Sequence, residues 1–86
     1  MPEISRFFGI VIYLYFRDHP PPHFHACYND FEAKYSISDG TCLEGHLPKT
    51  AAKLVLEWYN LHAQELQDAW QRAQQRQLPG KIDPLE

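Results

Sequence analysis

The hydrophobic pattern of this chain changes period once, at Pro48, and that switch limits the fold more than any other feature. Before it, apolar and polar residues alternate as they do in strands. In residues 7–16, Ile10, Ile12, Leu14 and Phe16 point one way, and Val11, Tyr13, Tyr15 and Arg17 the other. Further strands are expected at 23–28, 31–38 and 41–47, divided by the turn signals Asn29-Asp30 and Asp39-Gly40. From Lys49 onward Ala51, Leu54, Val55, Trp58, Leu61, His62, Leu66, Ala69, Trp70 and Ala73 recur at helical spacing, and Pro48 suits a helix start. Strands followed by a helix make an α+β domain: a four-stranded antiparallel meander with a C-terminal helix on one face. The helical pattern runs to about residue 75, with room for a break near Asn60, a residue that can cap a second helix. Pro79-Gly80 ends it, and Ile82 and Leu85 can pin the tail back onto the sheet.

Parity sets the register, because a slip of one residue turns every side chain over. A two-residue turn at Asn29-Asp30 pairs Tyr28 with Phe31, Ala26 with Ala33 and Phe24 with Tyr35 on one mostly apolar face. The other face then pairs Cys27 with Glu32, His25 with Lys34 and His23 with Ser36. The next hairpin sorts only with a three-residue loop, Ser38-Asp39-Gly40, bulged at the glycine. It pairs Tyr35 with Leu43, Lys34 with Glu44, Glu32 with His46 and Phe31 with Leu47. The expected core is Phe24, Ala26, Phe31, Ala33, Tyr35, Ile37, Leu43 and Leu47 against Leu54, Trp58, Leu61 and Leu66. The opposite face is expected to be open, displaying Tyr13, Tyr15, His23, His25, Cys27, Glu32, Lys34, Ser36, Glu44 and His46, with Arg17 and His19 at its rim.

Eighty-six residues make one domain, 1–86, with a modest core. The net charge of −3 and the scattered basic residues predict weak sequence-independent grip on nucleic acid for the chain as a whole. Cys27 and Cys42 form no CxxC, and a strand separates theirs, so both thiols should be free. The first residues lack the basic-then-apolar layout of a signal peptide, and no apolar run approaches the ~18 residues of a membrane span. The expectation is a cytoplasmic protein.

Three of the five histidines fall within the segment Asp18-His19-Pro20-Pro21-Pro22-His23-Phe24-His25. Histidine titrates near neutral pH and ligates metals, and the prolines stiffen the path between His19 and His23.

The first ten residues (Met1-Pro2-Glu3-Ile4-Ser5-Arg6-Phe7-Phe8-Gly9-Ile10), the Asp18–His25 segment, Gly45-His46-Leu47-Pro48 and Leu54-Val55-Leu56-Glu57-Trp58 together resemble a family of small bacterial proteins, the domain of unknown function 4160. Such proteins are often encoded beside a second small protein, in an arrangement like a toxin–antitoxin pair. The resemblance therefore implies a toxin-like or regulator-like chain with a small antitoxin-like partner. It carries over no catalytic residue. His46 departs from it, since a basic residue is expected after Gly45.

Three chemistries fit the histidine face. In RNA cleavage, His23 or His25 would be the general base, Lys34 or Arg17 would bind phosphate, and Tyr13 or Tyr15 would stack on a nucleobase. In noncatalytic docking of a partner or a second copy, Tyr13, Tyr15, Arg17, Asp18, His19, Glu44 and His46 would supply the contact surface. In metal binding, His23 and His25 project to one side of a strand and His19 or His46 would complete the ligand set. No cofactor is expected; if a divalent ion binds, its place is His19, His23 and His25. The RNA-acting, toxin-like reading leads, with a noncatalytic partner-binding or regulatory protein as the alternative.

Overall fold

The structure, a computed structural model, describes residues 2–86. Five strands precede one helix: β1 (Glu3–Phe7), β2 (Ile10–Tyr13), β3 (His23–Tyr28), β4 (Phe31–Ser36), β5 (Cys42–Gly45) and α1 (Lys49–Gln74). The strands form one antiparallel sheet in the order β1-β2-β3-β4-β5. The α+β class and the meander stand, but the sheet has five strands and not four. The difference lies at Phe8-Gly9, where φ is 51° and 81°. Positive φ at both central residues is the signature of the tight type I′ hairpin turn, so the run expected as one strand over 7–16 folds back on itself. Glu3–Phe7 thereby becomes an edge strand and buries Ile4 and Phe7.

The β3–β4 register is the one parity predicts at all six pairs, from His23↔Ser36 to Tyr28↔Phe31. In the next hairpin Lys34↔Glu44 and Ala33↔Gly45 also pair as expected, but Tyr35 lies opposite Cys42. The extra residue sits at Leu43 and not at Gly40, because Ser36 N–H already bonds to the Thr41 carbonyl at 2.8 Å and closes a wider loop. Leu43 is consequently pushed outward and is 47% exposed. Phe31, at the start of β4, is also exposed and rests edge-on against the His46 ring, 5.4 Å away. Neither joins the core, and Glu32 has no ladder partner in β5.

Phe24, Ala26, Ala33, Tyr35, Ile37 and Leu47 bury against Val55, Trp58 and Leu66, joined by Ile10, Ile12 and Leu14 from the other side of the meander. Trp58 centres this core, with ring centroids 5.5 Å from Phe7 and 5.7 Å from Phe24. Such aromatic pairs each contribute about 0.5–1.5 kcal/mol beyond their buried area. The helix departs from helical dihedrals at His62 (φ −128°, ψ 20°). The break expected near Asn60 therefore falls two residues later. It re-phases the stripe: Leu61 turns out to solvent, while Leu66, Ala69, Trp70 and Ala73 remain buried. The tail returns as anticipated, with Ile82 N–H bonded to the Ile4 carbonyl at 2.8 Å. Leu85 packs on the core.

Candidate functional site

The face opposite the core is not open at its centre. His23 and His25 are each only 5% exposed. The segment after β2 folds over them, and the second half of α1 closes from the side. Tyr15 meets the His25 ring edge-on at 4.2 Å, and Trp70 lies 5.5 Å from the His23 ring. The Gln74 amide donates to the Asp18 carbonyl at 3.2 Å, tying this covering segment to the helix.

Beneath the cover the two histidines converge on one carboxylate oxygen. Asp18 Oδ2 lies 3.0 Å from His23 Nε2 and 3.2 Å from His25 Nε2. Asp18 was expected as part of a contact surface; it stands instead at the middle of the cluster, because the proline-stiffened loop turns back across β3. The peptide bond between Pro20 and Pro21 is cis. His23 Nδ1 donates to the Pro21 carbonyl at 2.7 Å. His25 Nδ1 faces Glu32 Oε2 at 3.5 Å, long for a hydrogen bond. Burial pushes the Asp18 carboxyl up, but the His25 hydrogen bond, the His19 backbone N–H and the neighbouring histidines outweigh it and hold it below the usual aspartate range. Its side chain, 18% exposed, is the more open member of the cluster.

Three other expected residues, Tyr13, Lys34 and Glu44, share with His25 a row of successive cross-strand partners that begins at Glu3 and crosses the whole sheet. Lys34 is engaged by Glu44 at 3.0 Å, and that hydrogen bond raises its pKa. Its charge is already matched, unlike that of a free phosphate-binding lysine. Tyr15 has its pKa raised by burial and then by the nearby Glu32, Cys27 and Asp18 charges. Cys27 is likewise raised, by burial and by Glu32, so it stays a thiol. Both cysteines are free. His46 lies beside Phe31 at the far edge, away from the cluster. His19 is exposed; its backbone N–H donates to Asp18 Oδ1 at 2.8 Å, and the ring is not among the gathered ligand atoms.

Arg17, expected as a phosphate ligand, stands in a groove whose other members the sequence did not single out. Phe16, Arg17 and Arg76 line a groove of about 400 Å³. Both arginines have left-handed backbones, with φ of 51° and 59°. Both donate their backbone N–H to the same acceptor, the Ala73 carbonyl, at 3.3 Å and 3.1 Å. Arg76 occupies the position after the helix where glycine is usual, and Gln77 N–H completes the motif on the Arg72 carbonyl at 2.9 Å. Among the described residues, no ion pair engages either guanidinium. No periodic signal in the sequence separates Arg76 from a solvated helix face.

The family model described as domain of unknown function (DUF4160) matches residues 9–71. The chain belongs to that family. The match spans the Asp18–His25 segment, the meander from β2 onward and most of α1, so the cluster lies inside it while Arg76 lies beyond its end. Neither the curated proteins nor the solved structures give a match. No helix is long and apolar enough to cross a membrane.

Proposed function

We propose that this DUF4160 protein is the toxin-like component of a two-protein module and acts on RNA, with Arg17 and Arg76 holding phosphate and Phe16 stacking on a base. The Asp18–His23–His25 cluster is its chemical centre. The observation that carries this reading is the groove: two arginines without an ion-pair partner among the described residues, their backbone N–H groups bonded to one carbonyl, flank an exposed aromatic ring two residues from Asp18. Guanidiniums recognise phosphate through paired N–H donors, and bases stack on aromatic rings with little regard to sequence. Two local cations suffice for this inside a chain of net charge −3. The burial of His23 and His25 argues against a free histidine base on an open face, so substrate reaches the cluster from the Asp18 side. The family resemblance supports a small antitoxin-like partner.

The test is cleavage of end-labelled single-stranded RNA by purified protein, paired with growth on induced expression alone and with the neighbouring small protein. Expected are cleavage and growth arrest, both lost in Arg17→Gln/Arg76→Gln and in His25→Gln, with arrest relieved by the neighbour. A folded, abundant wild type that neither cuts RNA nor slows growth would overturn the reading. A noncatalytic, partner-binding role is then the alternative, favoured by the exposed Phe31 and Leu43 beside edge strand β5.

A further inference from the structure

We infer that Asp18, His23 and His25 form a binding site for one divalent transition-metal ion. The inference concerns the same cluster as the proposed function and does not depend on the nucleic-acid reading.

The Pro21 carbonyl can only accept, so the 2.7 Å contact places a hydrogen on His23 Nδ1. Nε2 is then the ring nitrogen that meets Asp18. That atom is buried and has no hydrogen-bond partner, although a carboxylate oxygen lies 3.0 Å away. An unsatisfied buried polar atom costs about 1–3 kcal/mol. A cation between Nε2 and the carboxylate removes that cost.

The donor geometry suits an ion. Ligand atoms of the three residues all lie within 4.8 Å of one another. The two contacts to Asp18, 3.0 Å and 3.2 Å, match the spacing of adjacent ligands around a metal bound at about 2.1 Å, roughly 3.0–3.4 Å. Donors to one such ion can be no more than about 4.2 Å apart, so the histidine pair needs at most a small closure. On His23 the outer contact fits as well. Ligating histidines usually donate the other ring N–H to a carbonyl or carboxylate, which fixes the tautomer. His23 does this to Pro21, whereas His25 Nδ1 lies 3.5 Å from Glu32 Oε2 and has no hydrogen-bond partner.

Two imidazoles and one carboxylate are the donor set of zinc, iron(II), manganese, cobalt and nickel sites; calcium and magnesium prefer oxygen alone. Three protein ligands leave at least one coordination position for water or a ligand oxygen. Asp18 is the member of the set that reaches toward solvent, and it adjoins the arginine groove.

The experiment is a titration of chelator-treated full-length protein with Co²⁺, followed by visible absorption and by melting temperature, with Zn²⁺ as competitor. Expected are one equivalent of Co²⁺, a ligand-field band that Zn²⁺ abolishes, and a raised melting temperature, since an ion that binds the native state alone stabilises it. Asp18→Asn and His25→Gln should lose the band while keeping their far-ultraviolet circular dichroism. His19→Gln and His46→Gln should retain it. A folded wild type with neither band nor thermal shift overturns the inference, and so does a band unchanged in both Asp18→Asn and His25→Gln. The titration contains no RNA, so cobalt binding by a protein that never cuts RNA overturns the proposed function alone.

Discussion

Trp58 donates its indole N–H to the Asp83 carbonyl oxygen over 2.8 Å and 25 residues of chain. The helix residue at the centre of the core therefore also fastens the tail, whose Ile82 is bonded to Ile4 of β1. Trp58→Phe removes the tether and part of the packing while leaving an aromatic ring. Expected is a loss of about 1–3 kcal/mol in urea denaturation, with faster hydrogen exchange at the Ile82 amide. An unchanged Ile82 exchange rate would show that the tail is held by other contacts.

Arg76 occupies a left-handed position that a side chain disfavours and glycine adopts freely. Arg76→Gly should therefore raise stability, by about 0.5–1 kcal/mol, and at the same time weaken RNA binding. Opposite movement of the denaturation midpoint and the RNA affinity is the result to look for. A variant that loses stability would mean that the guanidinium supports the helix end.

Salt dependence separates phosphate contacts from incidental charge. Each phosphate neutralised on a single strand contributes about 0.7 to the slope of log affinity against log salt. With two guanidiniums in the groove the wild-type slope should be shallow, near −1.4 by that rule. Arg17→Gln should reduce it by about 0.7 in filter binding, and a slope indifferent to both arginines would remove them from the interface.

The Asp18 carboxyl resists protonation in the fold: burial opposes this, but the His25 bond, the His19 N–H and the adjacent histidines prevail. A depressed folded pKa stabilises the fold above the unfolded value of about 3.9, and that contribution disappears as pH falls through the folded value. In chelator, the stability gap between wild type and Asp18→Asn measured at pH 5 should close as pH falls below the unfolded value of about 3.9. A gap that widens on acidification below that value would contradict the sign.

Much of this architecture was legible because sheets obey parity. The β3–β4 register follows from Phe24, Ala26 and Tyr28 facing Tyr35, Ala33 and Phe31. Trp58 and Trp70 fall on the buried helix stripe for the same kind of reason. The extra strand was hidden by composition: Phe7-Phe8-Gly9-Ile10 reads as one apolar run, and only the positive φ at Phe8 and Gly9 turns it into a hairpin. Leu61 falls on the stripe only if the periodicity is read as continuous, and the chain breaks that continuity at His62. Within the site, the parallel projection of His23 and His25 was readable from their spacing. Their burial was not, because it depends on the return path of the 14–22 loop, and no periodic pattern sets such a path. Asp18 gains its place from that path, and Arg76 from the last turn of the helix.

The shared Ala73 carbonyl has a mechanical corollary. The end of α1 and the loop over the histidines hang from one atom, and Gln74 adds a second attachment through Asp18. Fraying of the final helical turn therefore releases Arg17, Arg76 and the lid above the cluster as one cooperative opening. Anything that clasps the groove is felt at the helix terminus, and anything that loosens the terminus exposes the histidines.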